Sequence, residues 1–291
     1  MGDYLIRVIA KEAGMRGLAC VTTDLANEAA RRHQAAPTAA AVLASGLTGG
    51  ALMGALLKVQ QRLALKLEGS GPLGKMLVES DAYGRLRGYV GNPDLNLPLV
   101  NGQHNIGGAV GDIGKLTVVR DLKLKEPVES VVPLQTGTVD ADLTFFLNQS
   151  EQVLSAVEIG VLADETGHIK TAAGFLIQAL PPYEEKTIQR MIERVQDLPH
   201  IEKMLADGER PEDMLALIFT GVAYEVLEKR ELRYECTCSQ ERSEKALINL
   251  GREGLQNLLE TEGEAVVHCQ FCGEQYLFDA ADLELILAGM P

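Results

Sequence analysis

Alternation of hydrophobic and polar residues along the first 180 positions predicts a β-rich domain interrupted by helices. The sequence MLVESDAYGRLRGYV, residues 76–90, alternates like two strands that flank an Asp-Ala-Tyr-Gly turn. Residues 115–124 and 128–139 also have strand character, as do VEIGVLA and GFLIQAL, whereas ADLTFFLNQSEQVLSAV has helical spacing. Because strands and helices follow one another without a βαβ repeat, we expect an α+β domain over residues 1–178.

Residues 34–57, QAAPTAAAVLASGLTGGALMGALL, carry no charge and are long enough to cross a bilayer as a helix. The segment nevertheless contains more Ala, Gly, Ser and Thr than Leu or Phe, and its glycines suit close packing against protein. We therefore predict a buried core helix that begins at Pro37 and Thr38, and no membrane span.

The pattern changes at Pro181 and Pro182. Between positions 183 and 235 the chain has 13 acidic and 8 basic residues, and its apolar residues recur at helical spacing. Two apolar stripes result, the first formed by Ile188, Met191, Ile192, Val195 and Leu198, and the second, after Pro211, by Met214, Leu215, Leu217, Ile218 and Phe219. We predict an amphipathic helical linker over residues 179–235. Short isolated helices are marginal in water, so these hold only while another surface covers their apolar side.

Composition narrows the classes of function. The chain has 291 residues, 46% of them hydrophobic, with a mean hydropathy of +0.02, which suits a globular protein of two domains. Its formal charge of −14 and pI near 4.9 would repel a nucleic acid backbone, so we expect no nucleic acid partner. The start, MGDYLIRVIAKEAG, lacks the basic flank and long apolar run of a secretory signal, and we expect a cytoplasmic location.

The segment LALKLEGSGPLGKM matches part of the sequence motif of a phosphate-binding loop. Gly69, Gly74 and Lys75 occupy the glycine and lysine positions of that motif, but Met76 stands where Ser or Thr would hold magnesium. The residues that follow alternate like strands and do not open a helix. We therefore predict glycine turns in a sheet and no bound nucleotide.

Four of the five cysteines lie near the end of the chain in two close pairs. Cys236 and Cys238 form a C-x-C motif, and Cys269 and Cys272 form a C-x-x-C motif. Four thiolates in two such pairs fit a tetrahedral zinc site that has only protein ligands and no open position. The sequence between the pairs predicts a helix, a second helix and a strand. The strand would bring the second pair back to the metal. We predict one zinc ion bound by all four sulfurs.

Three other residues, His268, Cys20 and Ser239, are not expected to bind the metal. His268 is adjacent to Cys269, but four sulfurs already complete the zinc shell, so we expect it to be a bystander. Cys20, in GLACVTT, lies far from the other cysteines in sequence and is predicted to be a buried small hydrophobe. Ser239 is placed to cap the helix after the first pair.

Zinc also makes residues 236–291 a candidate switch. This segment has ten acidic and three basic residues and is too small to build much core, so bound zinc, which contributes about 10–16 kcal/mol in small peptides, supplies most of its folding free energy. Zinc keeps the sulfurs as thiolates, the species that oxidants attack. Two sulfurs on one zinc lie roughly 3.8 Å apart, whereas a disulfide needs about 2.05 Å. Oxidation and metal binding therefore exclude each other.

These residues carry a family resemblance. YECTCSQER and HCQFCGEQYLFDAADLELIL resemble the C-terminal redox switch of the 33 kDa heat-shock protein family, which are redox-regulated holdase chaperones. The opening DYLIR, the segment GPLGKMLVESDAYGRLRGYVGNP and GKLTVVRDL resemble the N-terminal domain of the same family, so the resemblance spans the whole chain.

The resemblance implies an ATP-independent chaperone and not an enzyme. It implies an inactive reduced form with one zinc ion, and an oxidised form in which Cys236 pairs with Cys238 and Cys269 pairs with Cys272. Oxidation would release zinc, unfold the linker and expose apolar surface that binds unfolding client proteins, with a homodimer as the oxidised form. The implied organisation is an α+β core domain at residues 1–178, the helical linker at 179–235 and a zinc-binding redox-switch domain at 236–291.

Three other functions use the same cysteines. A static zinc-ribbon-like module for binding nucleic acid would share the ligands, but the terminal segment has a net charge of −7. A thiol-disulfide oxidoreductase would use Cys269 and Cys272 at a strand-to-helix junction, whereas GEQYLF after them reads as a strand. A zinc hydrolase needs an open coordination position that holds a water. Four cysteine ligands leave no such position on a tetrahedral zinc ion.

Overall fold

The computed structural model describes residues 2–183 and 185–290. The chain divides into two compact units, of which the first ends at Glu235 and the second begins at Cys236. Both units mix helices and strands, which confirms the predicted α+β class.

The secondary structure of the described residues follows the chain in this order. The strands are β1 (Tyr4–Ala10), β2 (Met15–Val21), β3 (Arg62–Gly69), β4 (Lys75–Asp81), β5 (Arg85–Val90), β6 (Gly114–Asp121), β7 (Val128–Pro133), β8 (Ser155–Ala163), β9 (Ile169–Ala179), β10 (Glu225–Glu231), β11 (Arg233–Tyr234), β12 (Ala265–His268) and β13 (Gln275–Phe278). The helices are α1 (Thr23–His33), α2 (Pro37–Gly54), α3 (Ile106–Val110), α4 (Val139–Gln149), α5 (Glu185–Gln196), α6 (Ile201–Ala206), α7 (Pro211–Ile218), α8 (Gln240–Ile248), α9 (Gly251–Thr261) and α10 (Ala280–Gly289).

Two sheets build the first unit. The first sheet has the strand order β10-β1-β2-β9-β8 and is antiparallel throughout. The second sheet has the order β11-β5-β4-β3-β6-β7, and only its β11–β5 pair is parallel. The Asp-Ala-Tyr-Gly turn lies between β4 and β5, as the alternating pattern predicts.

Helix α2 packs against strands of both sheets and is the centre of the main core. It begins at Pro37, as predicted, because the fixed backbone angle of proline suits the first turn of a helix. Its residues from Thr38 to Gly54 are all buried. A side chain at Gly46 would place its Cβ 2.2 Å from the Met76 sulfur, so glycine is what lets β4 approach the helix this closely. The predicted core helix is confirmed.

Among the described residues, no helix combines the length and the apolar character that crossing a membrane requires. Two boundaries differ from the prediction. Strand β7 ends at Pro133, because the carboxylate of Asp142 accepts hydrogen bonds from the backbone N–H groups of Gln135 and Thr136 and turns the chain toward α4. Helix α4 ends at Gln149, and the residues from Ser155 belong to strand β8.

Helices α5, α6 and α7 lie on the face of the first sheet that points away from α2. We call this the covered face; its residues include Ile6, Val8, Ala19, Phe175 and Ile177, each at most 4% exposed. Ile188 and Met191 of α5, Ile201 and Met204 of α6, and Met214, Leu215 and Ile218 of α7 complete this second hydrophobic core. The predicted amphipathic helices are thus present, with their apolar stripes on the sheet.

The prediction of helix beyond α7 is wrong. Residues 225–231 form strand β10, which pairs with the free edge of β1, and β11 follows at once on the edge of the second sheet. The open edge of β1 offers backbone hydrogen bonds that outweigh the helix preference of the Glu, Leu, Lys and Arg residues in this segment. Leu217, assigned to the second apolar stripe, is 44% exposed because it lies beyond the margin of the side of α7 that Met214, Leu215 and Ile218 bury.

The second unit is small. Helices α8, α9 and α10 pack around the β12–β13 hairpin, and its core consists of Leu247, Leu255, Ala265, Phe278, Leu283 and Ile286. The predicted order of helix, helix and strand between the two cysteine pairs is confirmed. Ser239 caps α8, since its hydroxyl oxygen accepts a hydrogen bond from the Arg242 backbone N–H at 3.3 Å.

Candidate metal centre

Two short loops carry the four clustered cysteines. Cys236 and Cys238 lie between β11 and α8, just before the Ser239 cap. Cys269 and Cys272 lie in the turn that joins β12 to β13. The first loop is followed by helix α8 and the second by strand β13. The hydrogen bonds of these elements hold the ends of the two loops.

The β12–β13 turn is closed by hydrogen bonds of Cys269. Its N–H donates to the carbonyl of Glu274 at 2.9 Å, and its own carbonyl accepts the N–H of Gly273, also at 2.9 Å. Gly273 has a φ of +74°, a left-handed conformation that glycine adopts without a steric cost. The turn presents both sulfurs to the same side.

The four sulfurs form one cluster. All four Sγ atoms lie within 4.8 Å of one another. The Cys236 and Cys269 sulfurs are 3.7 Å apart, and the Cys238 and Cys272 sulfurs are 3.3 Å apart. No disulfide joins any of these four residues. A tetrahedron with metal–sulfur bonds of about 2.3 Å has edges of roughly 3.8 Å, so the donor set fits a zinc-sized ion after small adjustments.

Burial and backbone donors act on these thiols in opposite directions. Burial raises the pKa of the Cys269 and Cys272 thiols, while backbone N–H groups of Phe271 and Cys272 partly stabilise the Cys269 thiolate and that of Glu274 stabilises Cys272. Arg242, four positions after Cys238, donates instead to the carbonyl and hydroxyl oxygens of Thr237 at 2.8 and 2.7 Å. A bound cation is the natural counter-charge for four sulfurs in such surroundings.

The other two candidates lie apart from the cluster. His268 is exposed and does not belong to the group of close donors. Cys20 is fully buried in β2 within the main core, as predicted, and burial raises the pKa of its thiol far above the ordinary value. A buried protonated thiol is chemically inert compared with an accessible thiolate.

One polar neighbour of the cluster was not identified from the sequence. The hydroxyl of Tyr276, on β13, donates a hydrogen bond to the Cys238 sulfur at 3.1 Å. The alternation of the QYLF strand predicts on which side of the hairpin Tyr276 lies, but not that Cys238, from a distant part of the chain, reaches its hydroxyl.

The Cys269 and Cys272 motif does not have the setting of a thiol oxidoreductase. In those enzymes the reactive cysteine lies at a helix N-terminus, whose dipole stabilises the thiolate. Here the motif lies in a turn between two strands, and β13 follows it. This geometry agrees with the strand predicted for GEQYLF.

The glycine-rich segment with Lys75 is a hairpin. Gly69 ends β3 and Lys75 begins β4, and the two strands pair in antiparallel register. A Cβ at Gly69 would lie 2.1 Å from the Val110 carbonyl oxygen, so this glycine serves close backbone packing. The Lys75 ammonium lies 5.4 Å from the centre of the Tyr89 ring. The segment therefore has the geometry of a sheet turn, without the following helix of a phosphate loop.

A polar contact joins the linker helices to the first sheet. The hydroxyl of Tyr4, on β1, donates to the Glu212 carboxylate at 2.5 Å, and the ammonium of Lys229, on β10, donates to the same carboxylate at 3.0 Å. That ammonium also lies 3.8 Å from the centre of the Tyr4 ring. Glu212 is in the first turn of α7, where a carboxylate also suits the helix dipole. These three side chains fix α7 at the end of the covered face.

Comparisons with known proteins agree over almost the whole chain. A family model described as Hsp33 protein matches residues 3–279. The 33 kDa chaperonin of Geobacter sulfurreducens is 48% identical over 97% of this chain and 94% of its own length, and that of Citrifermentans bemidjiense is 44% identical over 99% and 98%. The crystal structure of the 33 kDa chaperonin from Thermotoga maritima superposes with a TM-score of 0.92 at 33% identity, covering 99% of this chain and 98% of that one.

Proposed function

Because this chain belongs to the Hsp33 protein family, we propose that it is a redox-regulated holdase chaperone that works without ATP. The observation that carries the proposal is the cluster of four cysteine sulfurs, all within 4.8 Å of one another, in a small unit that follows the linker helices in the chain. The family relatives are named chaperonins, which supports a binding function and not an enzymatic one.

The four sulfurs of Cys236, Cys238, Cys269 and Cys272 are the proposed ligands of one zinc ion. The all-sulfur donor set favours zinc among the common divalent metals, and the sulfur separations suit it. When bound, zinc would supply positive charge that keeps the sulfurs as thiolates and would join the two loops. The hydrophobic core of six buried residues in this unit is small, so the joined loops are needed for its stability.

Oxidation then converts thiolates to disulfides. With a peroxide as oxidant, one thiolate attacks a peroxide oxygen, the O–O bond breaks, and a sulfenic acid and hydroxide form. A second thiolate attacks the sulfenic sulfur, an S–S bond forms, and another hydroxide leaves. Each disulfide thus takes two electrons from sulfur to one peroxide and removes two ligands from the metal.

We propose that Cys236 pairs with Cys238, and Cys269 with Cys272. Within each motif only one or two residues separate the cysteines, so their sulfurs stay close after the two loops come apart. In the folded unit, sulfur contacts of 3.7 and 3.3 Å instead join the two motifs. The pairing therefore depends on whether the loops separate before the second bond-forming step.

Loss of the folded second unit would release the linker, residues 179–235, from the core domain at 1–178. Cys236 follows Tyr234 of β11 by two positions, so unfolding of the redox-switch domain at 236–291 reaches β11 and β10 directly along the chain. Without their cover, Ile6, Val8, Phe175, Ile177 and the rest of the covered face would form a continuous apolar surface. That surface, and the apolar stripes of the freed helices, would bind unfolding client proteins.

The proposed partners follow from the same surfaces. Client proteins bind through exposed apolar segments, and a second copy can share the uncovered apolar surface, which supports a homodimer of the oxidised form.

The net charge of −14 opposes nucleic acid binding, the Lys75 hairpin lacks the geometry of a nucleotide site, and no membrane partner is proposed. A switch whose resting form keeps its four sulfurs reduced and bound to zinc requires a reducing compartment, so we place the protein in the cytoplasm.

Light scattering from a heat-unfolding client protein tests the proposal. The full chain is supplied either reduced and zinc-loaded or oxidised by peroxide and zinc-free, at equal concentrations. We expect only the oxidised form to suppress scattering. Suppression by both forms would support chaperone activity but contradict its redox regulation. Suppression by neither form would contradict the proposed function as a whole.

A further inference from the structure

The Tyr276 hydroxyl is a hydrogen-bond donor directed at one of the four clustered sulfurs. It lies 3.1 Å from the Cys238 Sγ atom, a short distance for a bond to sulfur. Tyr276 is on β13, where its register partner is Val267 of β12, and its ring packs at the edge of the small hydrophobic core. The hairpin therefore holds the phenol ring, and the ring holds the hydroxyl at the sulfur.

The donors to the sulfurs differ in kind. Cys269 and Cys272 receive backbone N–H groups from their own turn, which any sequence folded in this turn would supply. Cys238 receives a side-chain hydroxyl from a strand 38 positions away in the chain. This contact therefore links the first cysteine loop to the hairpin that carries the second cysteine pair, and it depends on the identity of one residue.

A hydroxyl that donates to a metal-bound thiolate has two effects. It stabilises the charge that remains on sulfur when four thiolates share one divalent cation, and so strengthens metal binding. It also occupies a sulfur lone pair, which makes that sulfur a poorer nucleophile toward an oxidant. Both effects act on Cys238 and keep the first loop in place.

We propose that Tyr276 is a positioning residue of the redox switch, which strengthens zinc retention and protects Cys238 from oxidation through its hydroxyl. The proposal rests on the proposed function, because it takes the four cysteines as zinc ligands that are oxidised. Tyr276 thereby sets how much oxidant is needed to open the first cysteine pair.

The test compares the full-length, zinc-loaded protein with its Tyr276→Phe variant. Phenylalanine keeps the ring in the hairpin and removes only the hydroxyl. Tyr83→Phe is the matched control, since Tyr83 lies in the β4–β5 turn of the first unit. Zinc affinity is measured by competition with a chromophoric chelator, and thiol oxidation by mass spectrometry after limiting peroxide and alkylation of the remaining thiols.

We expect Tyr276→Phe to weaken zinc binding by about tenfold, at the low end of the effect of losing a group that supports a metal ligand. We also expect oxidation of Cys238 to accelerate roughly two- to tenfold, the factor that corresponds to one net hydrogen bond. Tyr83→Phe should match the original protein in both measurements.

A tyrosine analogue separates the hydroxyl from the packing of the ring. Replacement of Tyr276 by 3-fluorotyrosine keeps the ring and makes the hydroxyl a stronger donor, so Cys238 should oxidise more slowly than in the original protein. A purely structural role of the ring does not predict opposite effects of the two replacements.

Equal zinc affinity and equal Cys238 oxidation in the zinc-loaded original and Tyr276→Phe proteins would overturn this proposal and leave the proposed function standing. Conversely, if the original protein binds zinc but does not become a chaperone on oxidation, the proposed function fails while the affinity measurement still decides the role of Tyr276. An original protein without affinity for zinc would overturn both.

Discussion

The sulfurs of Cys238 and Cys272 lie 3.3 Å apart although the two residues are 34 positions apart in the sequence. This contact exists because the β12–β13 hairpin and the loop before α8 meet at the cysteine cluster. The distance is longer than a disulfide by more than 1 Å, and suits two ligands of one metal ion. Closeness in the folded unit therefore fits a shared metal ion, and does not decide the bonds that form on oxidation.

Disulfide pairing is the first prediction. After oxidation by peroxide, proteolysis and mass spectrometry should recover Cys236 joined to Cys238 and Cys269 joined to Cys272, because the loops separate once two ligands are lost. Peptides that join Cys238 to Cys272, or Cys236 to Cys269, would show that the second bond forms while the cluster is still assembled.

Removal of single cysteines is the second prediction. Cys236→Ser and Cys269→Ser should each lose most of the bound zinc, since three thiolates and a hydroxyl form a much weaker site. Cys20→Ala is the control, because Cys20 is buried in the main core and its substitution removes only one sulfur atom. Zinc content of the purified reduced proteins checks this, and an equal loss in the Cys20 variant would contradict the ligand assignment.

Loosening of the linker cover is the third prediction. Leu215→Ala should destabilise the docking of α7 by about 2–5 kcal/mol, the usual effect of such a cavity in a core, and so give the reduced protein partial chaperone activity. Its close contact with β2 supports this, as a Cβ at Gly17 would lie 3.0 Å from the Leu215 side chain. The measurement is suppression of client light scattering by the reduced, zinc-loaded variant.

Leu217→Ala is the matched control for that experiment. Leu217 is in the same helix and loses the same atoms, but it is 44% exposed. It should leave the reduced protein inactive. Equal activation by both variants would mean that helix stability alone, and not packing on the sheet, keeps the cover closed.

The fourth prediction concerns pH. Glu158, on edge strand β8, has a pKa raised to about 7 by burial and by the neighbouring carboxylates of Asp140 on α4 and Glu202 on α6. Glu202 lies over the same strand, since a Cβ at Gly160 would be 2.8 Å from its carboxylate, and the His200 imidazole is 3.9 Å from that carboxylate. Docking of α6 therefore favours protonated Glu158.

The sign of the effect follows from that raised pKa. An undocked Glu158 has an ordinary pKa near 4.5, so its contribution to docking is fully present below that pH and is lost as the pH rises through 7. Hydrogen exchange of residues 201–206, corrected for the intrinsic rate, should be faster at pH 8 than at pH 6. Glu158→Gln should remove this difference, whereas Glu165→Gln, at an exposed position, should keep it.

Local signals in the sequence were sufficient to predict the start of α2 and the four clustered cysteines. Pro37 marks the first residue of α2, because the preference of proline for the first helical turn does not depend on the rest of the fold. The cysteine spacing likewise identified four residues that the structure brings together, since each pair is local and only the meeting of the pairs is distant.

Features that depend on distant partners could not be predicted in this way. Residues 225–231 look helical in isolation but form β10, because the edge of β1 is more than 200 positions away in the sequence. Leu217 fits an apolar stripe by spacing, yet only the position of the sheet decides which side of α7 is buried. The contact from Tyr276 to Cys238 depends in the same way on how two loops meet.

The packing of α2 between the two sheets determines what remains after the linker is released. Its burial from Thr38 to Gly54 and the close approach at Gly46 do not depend on α5, α6 or α7, which lie on the other side of the first sheet. The covered face would therefore keep its shape while empty. Under the proposed function, the linker of a reduced and metal-loaded chain would dock again on a sheet surface that is already folded. The inactive form would then be restored without refolding of the core domain.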